Sequence, residues 1–284
     1  MYYIPVLGAL ALATGTILQR AVLKRKKIGI KLYQSAEFLS IVIAMLPFIY
    51  FFWRIDPQAI EFKNIFIFGL VILFSIVANL FTFYSMKWEK VTNLEPAKIL
   101  EPLFVIILAI FFSFFIDSHL YERNLKVIIP ALIAGAALIF SHIEKHHLRF
   151  NRYFIAAILG SFFFALELII SRLILDFYSP ITFYFLRCAS ILVISLILFR
   201  PKLKSIDKKP RIMIFILGII WAVYRIIIYW GYTNLGVIFT TLIIMLGPIF
   251  IYLLAWKFLK EKINWRNIVA SIIIIACIIY AVLS

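Results

Sequence analysis

Apolar runs fill this chain almost end to end, and the connections between them are too short to carry a second domain. Ten runs can be drawn, at 3–22, 33–53, 63–86, 92–116, 125–141, 153–175, 179–199, 211–233, 236–258 and 265–283. A helix needs roughly 20 apolar residues to cross the hydrocarbon core, so ten crossings take up roughly 200 positions. Lipid admits only helices and closed barrels, because no water is there to satisfy an open backbone. The period-two alternation of a barrel is absent, which leaves an all-α membrane protein of ten transmembrane helices. Composition agrees: 65% of the 284 residues are hydrophobic and 15% charged, against about 45–50% and 25% in soluble domains. A soluble enzyme, a disordered chain and a disulfide framework are excluded. Cys188 and Cys277 lie inside apolar runs and read as small hydrophobes.

The charge is as uneven as the hydropathy. The net formal charge is +16, which in a soluble protein would point to nucleic acid. Here the basic residues gather between runs, as in Lys24-Arg25-Lys26-Lys27 and the stretch from Arg200 to Arg211. Basic cytoplasmic loops explain that clustering without any polyanion. Odd-numbered loops hold nearly all of these residues, whereas even-numbered loops hold only Arg54, Lys63, Arg123 and Lys126. The positive-inside rule therefore sets the odd loops in the cytoplasm and both termini outside.

The polar interruption SHIEKHHLRFN falls at mid-chain. It divides the sequence into residues 1–143, a linker at 144–152, and residues 153–284, each half with five helices. Overlaying the halves pairs Pro102 with Pro248, Gly8 with Gly160 and Arg20 with Arg172. Such pairs outweigh matching Leu or Ile, because proline, glycine and arginine each have a distinct backbone or charge consequence. An odd number of helices per half sets the second half upside down. Inverted repeats are a signature of transporters, with the site near the midplane at their interface. His142, His146 and His147 with Glu144 lie in this polar interruption, and their spacing matches no zinc pattern. Neither a metal nor another cofactor is expected.

The stretch YWGYTNLGVIFTTLIIMLGPIFIYLLAWKFLKEKI at 229–263 resembles the closing motif of the EamA family, within the drug/metabolite transporter superfamily. Pro248 stands at the mid-helix proline of that motif and Glu261 at its acidic exit. FYSMKWEKVTNLEPAKILEPLF at 83–104 resembles the same motif in the first half, although the exit there carries Asp117 and Glu122 instead. Ile181 to Leu198, with Arg187, resembles the second helix of a repeat. The resemblance implies a ten-helix fold, a cavity lined by the first, third, fourth, sixth, eighth and ninth helices, and movement of small organic metabolites. Many bacterial members are drawn with both termini in the cytoplasm, opposite to the loop-charge reading.

Ionisable residues at mid-membrane cost roughly 2.5–3.5 kcal/mol each on insertion scales, so those present are candidates for function. Glu95, Lys98 and Glu101 recur every three residues before Pro102 and form a slanting ladder on one side of the fourth helix. That side belongs in the bundle. Pro102 frees the carbonyl of Lys98 and Pro248 that of Ile244, and paired interruptions of this kind point to a transporter's site. By helical rise, Glu167 and Arg225 both lie roughly 21 Å into their helices, and Arg187 reaches the same level from the other side. A Glu167–Arg225 or Glu167–Arg187 pair is the structural reading. The functional reading has one arginine holding a substrate carboxylate or phosphate while Glu101 faces its cation or a coupling proton. Tyr84, Trp221, Tyr224, Tyr229 and Trp230 could stack on a planar or cationic group or simply pack and anchor. Asn79, Thr82, Thr14 and Gln19 are candidate lining donors.

These features predict a secondary transporter that moves a small polar or zwitterionic metabolite, such as an amino acid, by alternating access, coupled to protons or to exchange. Its partners are that metabolite and the lipid bilayer of the cell's inner (plasma) membrane, with no nucleic acid. Lys98, Arg187 and Arg225 would favour an anion such as a sugar phosphate instead. Phe- and Lys-rich, Gly-poor usage fits an A+T-rich genome, for which import of S-adenosylmethionine is a further alternative. No phosphate-binding loop is present for ATP. An intramembrane transferase would need paired aspartates, whereas Asp56, Asp117, Asp176 and Asp207 stand apart. A membrane scaffold or a lipid flippase is the remaining alternative. The loop charges predict that a reporter fused after Ser284 reads as external; a cytoplasmic signal would overturn that topology.

Overall fold

The computed structural model describes residues 2–25, 28–89, 91–116, 120–121, 123–142, 151–203, 206–259 and 265–283. Among them the chain is all-α: α1 (Tyr3–Leu23), α2 (Ile30–Phe52), α3 (Phe62–Trp88), α4 (Val91–Lys98), α5 (Leu100–Phe115), α6 (Leu125–His142), α7 (Arg152–Arg172), α8 (Pro180–Phe199), α9 (Lys208–Asn234), α10 (Val237–Ile244), α11 (Leu246–Leu259) and α12 (Trp265–Leu283). Eight helical stretches are long and apolar enough to cross a membrane: α1, α2, α3, Pro96–Phe115, α7, α8, α9 and α12. The fifth and ninth predicted segments correspond to shorter apolar helices, Leu125–Ser141 and Val237–Ile251. The mid-chain linker, Asp117, Glu122, Glu261 and the side chains of His142, Glu144, His146 and His147 lie outside the described residues. So does the side chain of Glu95.

Local chemistry sets several helix ends. Asn151 caps α7, its side-chain oxygen accepting from the backbone N–H groups of Tyr153 and Phe154 at 3.0 and 2.8 Å. Ser179 caps α8 in the same way through Thr182, and Pro180 occupies the first turn. The fourth and ninth predicted segments, drawn as single helices, are each broken. α4 ends at Lys98 and α10 at Ile244, the residues whose carbonyls Pro102 and Pro248 leave without an N–H partner.

α3 lies along α7, and α1 along α9; α5 runs beside α7, and α11 beside α1. α6 packs on α12, while α2 meets both α8 and α9. Large apolar side chains such as Phe66, Leu73, Val223 and Ile272 are exposed on the outside of the bundle. In water such a surface would aggregate; in a bilayer it is the lipid-facing belt. Inside, small residues let helix backbones approach. A Cβ built on Gly160 of α7 would come within 2.5 Å of the Thr82 hydroxyl on α3, and one on Gly218 of α9 within 2.9 Å of the Ile41 backbone nitrogen on α2.

The connections sort into two groups. The chain after α2 pairs with the chain before α8: Asp56 N–H donates to the Phe177 carbonyl at 2.8 Å, and Ser179 N–H to that of Arg54 at 3.2 Å. The Ser179 hydroxyl adds a bond to the Phe52 carbonyl at 2.6 Å. Both segments belong to even-numbered loops. In a second group, Asn151 Nδ2 donates to Glu89 at 2.7 Å, and the Lys87 ammonium donates to the Ile28 carbonyl. These residues belong to odd-numbered loops, so loop parity and spatial grouping agree.

The glycine contacts yield a paired prediction. Gly218→Ala forces α9 away from the α2 backbone and should destabilise the protein by about 1–3 kcal/mol. Gly69→Ala meets nothing within 4 Å, and replacing a helical glycine there should be neutral or stabilising by about 0.5–1 kcal/mol. Thermal unfolding of the two variants in detergent, beside the wild type, checks both.

Candidate functional site

The broken helices face the other half of the bundle across a cavity of ≈ 170 Å³. An apolar cavity of about 150 Å³ already admits a benzene-sized guest, so a small metabolite has room here. Polar groups reach the cavity from many helices: Gln19 of α1, Asn79 and Thr82 of α3, Ser161 of α7 and Thr241 of α10. The ionisable side chains on its wall are Glu37, Lys98, Glu101, Arg187 and Arg225. Pro102 and Pro248 both line it, which brings the two interruptions to one site.

Behind the wall lies a buried charge cluster. Glu167 of α7 is fully buried, with its Oε2 3.3 Å from an Arg187 nitrogen and 3.2 Å from an Arg225 nitrogen. Its Oε1 accepts from the Tyr229 hydroxyl at 2.8 Å and from Ser171 at 3.2 Å. Arg187 also donates from Nε to Ser75 of α3 at 3.1 Å and from a terminal nitrogen to Tyr229 at 2.9 Å. Both pairs named as alternatives in the sequence thus form together, on one carboxylate. Arg225 lies over the Phe164 ring at 5.1 Å and near the Tyr224 ring at 5.8 Å, so its flat faces are sheltered by aromatic surface. Two guanidiniums share one carboxylate, and the cluster keeps one positive charge toward the cavity.

The opposite wall is built where α4 stops. Lys98, the last residue of α4, reaches the Met86 sulfur at 3.3 Å, and Glu101 sits in the first turn of α5. The Ser161 hydroxyl donates across to the Ala97 carbonyl at 3.0 Å, which fastens α7 to the end of α4. Asn79 donates to the Ser75 carbonyl at 2.7 Å, so α3 links the lining to the charge cluster through one serine.

Most of the residues singled out in the sequence converge here, but not all. Trp221 and Tyr224 line the cavity, whereas Tyr84 lies tilted against Tyr153, 5.4 Å between ring centroids, and does not. Thr14 is exposed and its hydroxyl returns to the Leu10 carbonyl. Glu167 stands behind the lining rather than in it. Tyr229 belongs to the charge cluster, where its hydroxyl bridges Arg187 and Glu167. The resemblance implied no part for the second and seventh helices, yet α2 and α8 supply Glu37 and Arg187 to the wall. Sequence reasoning misses Glu37 and Ser75 altogether. Glu37 is visible as a lone carboxylate inside an apolar run; Ser75 gives no signal, since its role depends on where Arg187 lands.

Among the described residues no group of three or more His, Cys, Asp or Glu gathers as a metal site would require. Both cysteines are buried and free.

A solved structure described as "Crystal structure of protein" superposes with a TM-score of 0.70 over 99% of this chain and 98% of that one, at 15% identity. That likeness is one of fold. No curated protein matches the chain. Residues 151–283, which include Glu167, Arg187 and Arg225, match the EamA-like transporter family. That match covers the second half of the chain, where the sequence motif with Pro248 lies.

Proposed function

We propose that the protein is a secondary transporter of a small zwitterionic metabolite, an amino acid or a compound of similar charge, which it moves across the plasma membrane by alternating access. The observation that carries this reading is the buried cavity that both halves of the chain line with side chains of both signs, Lys98 and Glu101 on one side and Arg225 on the other. Ten spans in two inverted five-helix units, 1–143 and 153–284 joined by a linker at 144–152, account for the packing. α3 on α7 is then the counterpart of α9 on α1, and α5 beside α7 that of α11 beside α1. Gly8 and Gly160 support the same relation, since each admits a close neighbour from the other half, Ile227 and Thr82. The breaks after Lys98 and Ile244 supply freed carbonyls at equivalent places, where rocking of one unit about the other would change the wall. The Glu167 cluster, with its surplus positive charge, favours a second reading in which the cargo is an anion such as a sugar phosphate. Energy comes from protons or from exchange against a second solute.

Counterflow in proteoliposomes with labelled amino acids, S-adenosylmethionine and sugar phosphates tests the proposal. Wild-type protein should take up an ammonium-bearing compound, and Glu101→Gln should lower that uptake at least about 10-fold while remaining folded. Uptake of a sugar phosphate untouched by Glu101→Gln would move the assignment to the anionic reading. No flux of any of them through folded, reconstituted protein would overturn transport and favour a scaffold. Glu167→Gln is expected to behave differently from Glu101→Gln. It strands two buried guanidiniums, at a cost of about 3–5 kcal/mol, and should appear first as lost thermal stability in detergent.

A further inference from the structure

α2 carries a carboxylate that the charge cluster does not use. Glu37 is 2% exposed and lines the cavity. The Tyr33 hydroxyl donates to its Oε1 at 2.8 Å and Gln19 Nε2 to the same oxygen at 3.2 Å. Both neighbours are neutral donors, and Oε2 has no hydrogen-bond donor among the described residues. No lysine or arginine forms an ion pair with it there. The Trp221 indole N–H stands beside the carboxylate without reaching hydrogen-bond geometry, and it has no other partner among the described residues. A buried carboxylate without a counter-charge is expensive, and a buried indole N–H is ordinarily bonded. Two incomplete groups therefore face one cavity.

Register sharpens the contrast. Glu37 stands seven residues after the start of α2 at Ile30, and Arg187 seven residues after the start of α8 at Pro180. Their cross-partners correspond too: Trp221 lies thirteen residues into α9 from Lys208, and Ser75 thirteen into α3 from Phe62. Equivalent places in the two halves thus hold opposite charges. The guanidinium is compensated by Glu167, whereas the carboxylate is not. Trp221 and Arg225 are four residues apart on α9, about 6 Å along its axis and on one face. The cavity therefore presents a carboxylate at Glu37 and a guanidinium at Arg225.

We infer that Glu37 is the cation-recognition pole of the cavity, taking the ammonium group of an organic cation or zwitterion beside the Trp221 indole, while Arg225 takes the anionic group. The inference rests on the transporter reading and names which part of the cargo goes where. An ammonium supplies the donors that Oε2 lacks and the charge that α2 lacks, in a charge-assisted bond. Burial of the site gives the pair more weight than it would have in water.

Binding in detergent tests this without requiring flux. Purified full-length protein is heated with the twenty amino acids and, for leucine, methionine and tryptophan, with the matching decarboxylated amine and des-amino acid. Ligand binding to the folded state raises the melting temperature in proportion to RT ln(1 + [L]/Kd). Ammonium-bearing compounds should stabilise the wild type, and Glu37→Gln should weaken that binding at least about 30-fold. Des-amino acids should depend on Glu37 little or not at all. If Glu37→Gln does not give monodisperse protein, Glu37→Asp keeps the charge but withdraws it by one methylene, and should weaken the amines while leaving the des-amino acids unchanged. Stabilisation by amines that Glu37→Gln leaves intact would overturn the inference, as would stabilisation by no ammonium-bearing compound. Loss of only the pH dependence of flux in Glu37→Gln would also overturn it, and would make the residue a proton carrier. Ammonium-dependent stabilisation without flux in proteoliposomes would leave Glu37 standing and overturn transport instead.

Discussion

One carboxylate holds the middle of this molecule together. Glu167 forms ion pairs with two guanidiniums from separate helices, Arg187 and Arg225, and its second oxygen accepts from Tyr229 and Ser171. Within hydrocarbon a bare guanidinium costs several kcal/mol, so none of these helices can shift alone without exposing a charge to lipid or void. α7, α8 and α9 converge on that point, and α3 joins through Ser75. The cavity wall inherits this rigidity, because Arg225 is presented to it by the same contacts that bury it.

Against the fixed cluster stand two deliberately incomplete helices. α4 and α10 each stop where a proline four residues on can offer no N–H, and the chain restarts as α5 and α11. Such breaks are tolerable at membrane depth only where the freed groups face protein or a cavity. The wall opposite Glu167 is therefore made where helices stop and restart, and the wall at Arg225 of side chains tied to one another. Cargo would sit between a firm surface and a yielding one.

Much of this was legible in the sequence, for identifiable reasons. Apolar length alone marks the eight stretches long enough to cross a membrane, since the bilayer sets a minimum. The positions of Pro102 and Pro248 give the breaks, because a missing N–H acts locally whatever surrounds it. The common depth of Glu167, Arg187 and Arg225 follows from helical rise, although which arginine takes the glutamate does not, and here both do. Glu37 is a different case. Its residue type was in view, but the lack of an ion-pair partner for it among the described residues is a property of packing across α1, α2 and α9. Tyr84 shows the opposite error: an aromatic close in sequence to lining residues turns to Tyr153 because one step along a helix rotates a side chain by about 100°.

The hydrogen bonds that tie residues 54–56 and 177–179 together, with Ser179 reaching Phe52, join the two halves at one end of the bundle. Were the halves to rock, such a clasp would act as a fulcrum. Displacement grows with distance from a pivot, so a relative rotation of the halves about it would open a gap widest at the end where Asn151 donates to Glu89 and Arg25 reaches the Met213 sulfur. Opening toward the clasped end would thus require breaking backbone bonds, whereas at the other end the contacts between Asn151 and Glu89 and between Arg25 and Met213 join side chains.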